Sequence, residues 1–211
     1  MLRRDTFAIG EYYHIFNRGV EKRKIFNQER DYVRFIDSMI FFNTEKSSWV
    51  INDLREKGID ARPKSEEMLV DIVAYCLNPN HFHFLLKENK ENGITSFMKK
   101  ISTGYAMYYN KKYERSGVLF QGRFKSVHIK SNSHLLYTSV YVNCNSQIHG
   151  IENAEKYPWC SLPEYLGKSG NICQNSSIVD QFKDQEEYRI FCEENITVMK
   201  DRKEMEKIII E

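Results

Sequence analysis

What this sequence lacks narrows the field before any motif is read. Its five cysteines (Cys76, Cys144, Cys160, Cys173 and Cys192) are odd in number and nowhere spaced C-x-x-C. That excludes a zinc knuckle and a disulfide-stapled scaffold, and it points to a reduced, cytoplasmic chain. No apolar stretch approaches the roughly 18 residues of a membrane span, and the first residues do not read as a signal peptide, so no membrane partner is expected. No unit of roughly 20–50 residues recurs, which sets aside repeat architectures. An excess of either charge is lacking as well: the net value is only +2, too little to imply a polyanionic partner by itself.

The distribution of that charge is more informative. Residues 111–130 hold six Lys/Arg against one Glu, whereas residues 180–194 hold six acidic residues against Lys183 and Arg189. A basic middle and an acidic end fit a nucleic-acid surface kept apart from a solvated helix, though charge runs commonly just solvate a face. With 211 residues, 41% of them hydrophobic, the chain has enough material for one domain and an appendage. Thirteen Tyr and thirteen Phe suit base stacking and core packing equally.

In chain order, residues 7–16 read as a strand ended by Asn17-Arg18-Gly19. Asn27 is placed to cap a helix running to about residue 43, which carries Tyr32, Phe35, Ile36, Met39 and Ile40 at helical spacing. Residues 44–67 are polar and read as an insertion with a short helix near Trp49. Residues 68–77 and 81–88 form a strand pair around Asn78-Pro79-Asn80, and a long helix spans 94–113. Residues 118–130 end in a strand. Ser131 or Ser133 caps the next helix, 134–147, which Gly150 terminates. The order β-α-β-β-α-β predicts an α+β, ferredoxin-like antiparallel sheet with helices on one face and the other face available. Residues 1–166 make the expected domain, and 167–211 a charged, helical C-terminal tail.

The chemistry begins at His81-Phe82-His83. In a strand alternate side chains share a face, so both imidazoles point one way while Phe82, Phe84 and Leu86 point into a core. Two imidazoles side by side on a rigid strand make a bidentate metal site; a half-buried strand with a polar face is the plainer reading. On the helix at 134–147, Tyr141 and Asn145 stand at i and i+4 and project from one face. A tyrosine hydroxyl, with a pKa of about 10, is a weak nucleophile until its electrophile is activated or its proton removed. A divalent ion on His81 and His83 would activate a phosphodiester, and the Asn145 amide oxygen is a sensible third donor. Spacing alone does not select Tyr141 over Tyr105 or Tyr137.

These residues carry a resemblance. His14-Ile15-Phe16-Asn17-Arg18-Gly19, the run 74–86 around His81-Phe82-His83, Tyr109-Asn110, the run 117–126, Tyr141-Val142-Asn143-Cys144-Asn145, Tyr157-Pro158-Trp159-Cys160-Ser161 and Glu187-Tyr188 follow one another as in the single-tyrosine HUH transposases. The chain most resembles their REP-associated branch. The resemblance implies His81 and His83 as metal ligands, Tyr141 as nucleophile and Asn145 as the amide beside it, with Gly150 closing the tyrosine motif. It implies cleavage of single-stranded DNA beside a hairpin, through a 5′-phosphotyrosine and a free 3′-hydroxyl, with Mg²⁺ or Mn²⁺. Ser146 stands where the family usually has proline, Asn143 where histidine is common, and Cys160 where serine is usual.

Arg18, Gln121, Gly122, Arg123, Lys125 and Lys130 are the expected DNA contacts: the cations for phosphates, Gln121 for a base edge, and Gly122 for close backbone approach. The expected assembly is a monomer or a homodimer. Two other functions fit parts of the pattern. A non-catalytic ferredoxin-like module would hold single strands on sheet aromatics such as Tyr13, Phe82 or Phe84, and would need none of His81, His83, Tyr141 and Asn145. A relaxase or replication initiator would share the histidine pair, but such proteins are generally longer or carry helicase-type motifs, and no G-x-x-x-x-G-K-[ST] occurs here.

Overall fold

The computed structural model describes residues 6–168 and 170–210; the rest of the two expected segments, residues 1–5, 169 and 211, lies outside the described residues. Strands β1 (Tyr12–Arg18), β2 (Val70–Asn78), β3 (His81–Glu88) and β4 (Lys125–His128) form one sheet in the spatial order β2-β3-β1-β4. Every neighbouring pair is antiparallel. Helix α1 (Glu29–Phe41) connects β1 to β2, followed by the short α2 (Ser48–Glu56) within the 44–67 insertion; α3 (Gly93–Lys112) connects β3 to β4. This is the expected split βαβ arrangement.

Alternation explains the first core. Tyr13 and Ile15 of β1, Tyr75 and Leu77 of β2, and Phe82, Phe84 and Leu86 of β3 meet Phe35 and Met39 of α1 and Phe97, Ile101 and Tyr105 of α3. The first strand starts later than expected because Gly10, at φ +85°, turns the chain before Tyr12. Helix α1 is capped one residue later than expected, by Gln28, with Asp31 as its reciprocal partner. Fully buried Asp31 also ties α1 to α3, accepting from Lys112 Nζ (2.6 Å), Tyr113 OH (2.7 Å) and Tyr108 OH (3.0 Å).

The second sheet face differs from expectation. Over β2 and β3 it is closed by α4 (Asn132–Asn143), α5 (Asn145–Ile148), α6 (Leu162–Tyr165), α7 (Ser176–Val179) and α8 (Gln185–Ile210). Val73, Ala74, Cys76 and Leu85 pack there against Val140, Val142, Tyr165 and Ile178. A bulge between Ile72 and Ala74 lets consecutive Val73 and Ala74 both serve this side. The expected charged tail contributes Tyr188, Cys192, Ile196 and Met199 to the same core, while Glu186, Glu187, Glu193 and Glu194 lie exposed on the outer side of α8. Strand β2 is buried along nearly its whole length and β3 almost so, whereas β1 alternates and β4 stays largely exposed. The open part of the second face is therefore its β1/β4 half.

The turn from β3 into α3 is fixed by one carboxylate. Glu88, fully buried, accepts from Gly93 N (2.8 Å) and Ile94 N (2.7 Å), two backbone donors that the start of a helix otherwise leaves unsatisfied. Gly93 is required because a Cβ there would stand 2.2 Å from Leu69 O. Replacing Glu88 by alanine is expected to cost about 1–3 kcal/mol. A urea midpoint unchanged in Glu88→Ala would show that this cap does not hold α3.

Candidate active site

Strand register assembles the site. On the second face the paired residues form rows: Asn78, His81 and Arg18 in one, then Cys76, His83, Phe16 and Lys125, then Ala74, Leu85, His14 and Val127. His81 and His83 therefore stand at the end of β3 where the covered half of the face meets the open half. Tyr141 is brought over His83 by α4, whose start is capped by Ser131 accepting from His134 N (3.2 Å). The far side of α4 is anchored where Tyr188 OH meets Ser139 Oγ (3.1 Å) and Asn143 Nδ2 (2.9 Å), and Ser161 Oγ donates to Asn143 Oδ1 (2.5 Å). Asn143, one of the departures from the family pattern, is thus a buried strut.

The Tyr141 ring stands edge-on to His83 (centroids 5.5 Å apart, 88°) and to His14 (5.6 Å, 78°). Asn145 does not extend the same helix, as its i+4 spacing predicts. Helix α4 ends at Asn143, Cys144 breaks it, and Asn145 opens the short α5, which Gly150 (φ +66°) follows. The break still delivers the amide: Asn145 is fully buried and its Oδ1 lies 3.3 Å from His81 Nε2. The structure therefore brings His81, His83, Tyr141 and Asn145 together.

The donor set suits a small divalent ion. Two neighbouring ligands on such an ion stand about 3.0–3.4 Å apart when each bond is about 2.1 Å, which matches the Asn145 Oδ1 to His81 Nε2 separation. The Asn145 Nδ2 atom is buried without a hydrogen-bond partner. The amide oxygen is turned to accept from Asn78 Nδ2 and also faces His81, an orientation that leaves its own Nδ2 buried without a partner. Among the described residues no group of three or more His, Cys, Asp or Glu side chains is arranged to hold a metal. The residues that would hold such an ion are the two imidazoles and the amide oxygen of Asn145.

Three neighbours escape a reading by spacing. Asn80 Oδ1 meets His81 Nδ1 at 2.6 Å, directing the other nitrogen, Nε2, toward Asn145. Asn78 Nδ2 donates to Asn145 Oδ1 (2.6 Å) and lies 2.9 Å from His81 Nε2, so both lone pairs converge on it. His14 Nε2 lies 2.8 Å from His83 Nδ1, with the rings stacked at 17°. Alternation along β1 puts His14, Phe16 and Arg18 on one face; only the β1/β3 register shows which face that is. Burial disfavours the charged form of His14, and nearby His134 adds to this, lowering its pKa from 6.5 to about 4.

The expected DNA contacts divide. Arg18 Nε donates to Gln121 Oε1, and both side chains are exposed next to His81. Gly122 is needed for its positive φ (+74°), and its carbonyl is turned inward to accept from Asn17 Nδ2 (3.2 Å). Arg123 and Lys125 are exposed at the start of β4, Lys125 directly across from Phe16 on the site face. Lys130 stands apart. It lies past the far end of β4, beyond the Ile129 N to Tyr12 O bond, about 17 Å along the strand from Lys125. Tyr13, Phe82 and Phe84, the aromatics a sheet-stacking module would use, are buried in the first core. Among the described residues no helix is long and apolar enough to cross a membrane.

Comparison with known proteins gives three results. Residues 9–145 match the family described as "Transposase IS200 like". No curated protein matches the chain. Among solved structures, the REP-associated tyrosine transposase bound to a REP hairpin aligns with 84% of this chain and 96% of its own, at 14% identity and a TM-score of 0.56. That likeness is one of fold. A putative transposase from Deinococcus radiodurans R1 aligns with 72% of this chain and 99% of its own, at 11% identity and a TM-score of 0.37.

The His14 environment has a consequence for acid stability. Because its folded pKa is depressed, the stability linked to its neutral ring is fully present above pH 6.5 and is lost as pH falls toward about 4. Denaturant midpoints measured between pH 7 and 4.5 are expected to fall less steeply in His14→Gln than in the unmodified chain. Parallel slopes would show that His14 carries none of the acid sensitivity.

Proposed function

The chain belongs to the IS200-like transposase family, and we propose that it cleaves and rejoins single-stranded DNA beside hairpins through a covalent bond to Tyr141, as the REP-associated branch is expected to do. The observation that carries this reading is the convergence of Tyr141 on His83 while Asn145 Oδ1 faces His81 Nε2. A module that only binds DNA needs no such convergence. Its stacking aromatics are also unavailable, because Phe82 and Phe84 are sealed in the first core.

In this reading the strand runs over the open β1/β4 half of the site face. Lys125, Arg123 and the Arg18–Gln121 pair neutralise its phosphates and fix its path. Tyr141 Oη attacks the scissile phosphorus, forming the new O–P bond as the bond to the 3′-oxygen breaks. The phenolic proton is given up and the leaving oxygen takes one, ending as a free 3′-hydroxyl. The 5′-phosphate stays on Tyr141, so the phosphodiester energy is retained and a second 3′-hydroxyl reverses the step without a nucleotide cofactor. His81, His83 and Asn145 would hold Mg²⁺ or Mn²⁺, which when bound withdraws charge from a nonbridging phosphate oxygen. Asn80 and Asn78 aim His81 and Asn145, and the edge-on packing of Tyr141 against His14 and His83 restricts where its hydroxyl points.

The defining experiment is incubation with a library of hairpin-bearing single strands and Mn²⁺, followed by denaturing electrophoresis. A covalent protein–DNA band is expected from the unmodified chain and none from Tyr141→Phe, a loss of several orders of magnitude because no other group inherits the covalent step. Tyr105→Phe and Tyr137→Phe serve as controls, and a phosphotyrosine peptide mapping to either would move the nucleophile. Binding responds to different residues. Lys125→Glu should weaken hairpin affinity and flatten its dependence on salt by roughly one unit of logarithmic slope or less. The same change at Lys130, at the other end of β4, should leave that slope nearly intact. Equal effects at the two positions would place the strand elsewhere.

A further inference from the structure

We propose that His14 is a positioning residue that sets the tautomer of His83, taking the proton of Nδ1 as a hydrogen bond so that Nε2 keeps its lone pair for a cation. This deepens the reading of His81, His83 and Asn145 as cation ligands and rests on it. His14 pairs across the sheet with Leu85, which makes it the diagonal neighbour of His83 on the same face. Its Nε2 lies 2.8 Å from His83 Nδ1. A bond of that length between two imidazole nitrogens holds one proton, so one ring donates and the other accepts.

The surroundings leave the pair little freedom. Phe16 stacks on His14 (5.0 Å, 28°) and on His83 (5.6 Å, 19°), and Tyr141 closes both edge-on. His83 itself is buried. A ring held this way cannot swing to offer whichever nitrogen is free. The proton on its Nδ1 therefore decides whether Nε2 is a ligand or an N–H. An acceptor fixed at Nδ1 favours the ligand form, the function usually served by a carboxylate or carbonyl behind a metal-binding histidine. His81 is treated the same way by another residue, since Asn80 Oδ1 sits 2.6 Å from its Nδ1. Both imidazoles thus have Nδ1 engaged from behind, and the Nε2 of His81 faces Asn78 Nδ2 and Asn145 Oδ1.

The tautomer is directly measurable. In protein labelled with ¹⁵N-histidine, two-bond ¹H–¹⁵N correlation spectra without any metal should show His83 protonated at Nδ1. In His14→Phe, which keeps a stacked ring and removes the acceptor, His83 should revert to the Nε2–H form that a free side chain prefers. In His14→Gln, whose amide oxygen reaches the same place, the Nδ1–H form should persist. Mn²⁺ titration followed by loss of the free-ion paramagnetic signal should then show binding weakened about 10–100-fold in His14→Phe and restored to within a few-fold in His14→Gln. A His83 that carries its proton on Nε2 in the unmodified chain, or the same tautomer in all three proteins, would overturn the proposal. Failure of the parent reading looks different: His81→Ala would then leave Mn²⁺ uptake unchanged while the tautomer still followed His14.

Discussion

The site depends on the register between β1 and β3. Pairing Arg18 with His81 and Phe16 with His83 puts both imidazoles on the face that receives α4, and puts Phe82 and Phe84 into the opposite core. A slip of one residue would exchange these sets, burying imidazoles among aromatics and presenting phenylalanines to Tyr141. The arrangement is held by the buried aromatics rather than by the polar residues: Phe82 and Phe84 pack against Phe35, and Phe84 also meets Phe97. Packing on one side of the sheet thereby fixes chemistry on the other.

Tyr141 and Asn145 reach this face by a different route. They ride on α4 and α5, which are seated by the second core and by the contacts of Tyr188 and Ser161 with Asn143. The two cores share β2 and β3, so strand and helix halves of the site are registered through one pair of fully covered strands. The β1/β4 half carries little cover. It offers exposed Lys125 and Arg18 beside Phe16, whose ring is stacked on His14 and His83.

Much of this is legible in the chain, for stated reasons. The alternation at His81-Phe82-His83 assigns faces without any knowledge of partners, and the helix and strand order specifies the sheet topology. Asn145 is found by its distance from Tyr141, although the helix breaks at Cys144 between them; the spacing survives because the break keeps the Cys144 N to Val140 O bond. Contacts between distant segments are less accessible. His14 and His83 are 69 positions apart, and nothing local in either segment predicts that they share a proton. The burial of α8 is hidden for another reason. Tyr188, Cys192, Ile196 and Met199 form a narrow stripe in an acidic helix, and composition does not say which surface receives it. Lys130 reads as equivalent to Lys125 in the sequence, yet a strand separates residues by length as a helix does not.

The place of α8 also orders events during synthesis. The sheet, its first core and the histidine pair are encoded ahead of the element that backs α4, so during synthesis they emerge before it. While α8 is still within the ribosome, Ser139 and Asn143 have no Tyr188 to hold them, and the inner wall of α4 is wet. Until then α4, which carries Tyr141, lacks the contacts that anchor its far side. The seating of α4 above His83 thus waits on the α8 segment, because the contacts of Tyr188 with Ser139 and Asn143 cannot form before it.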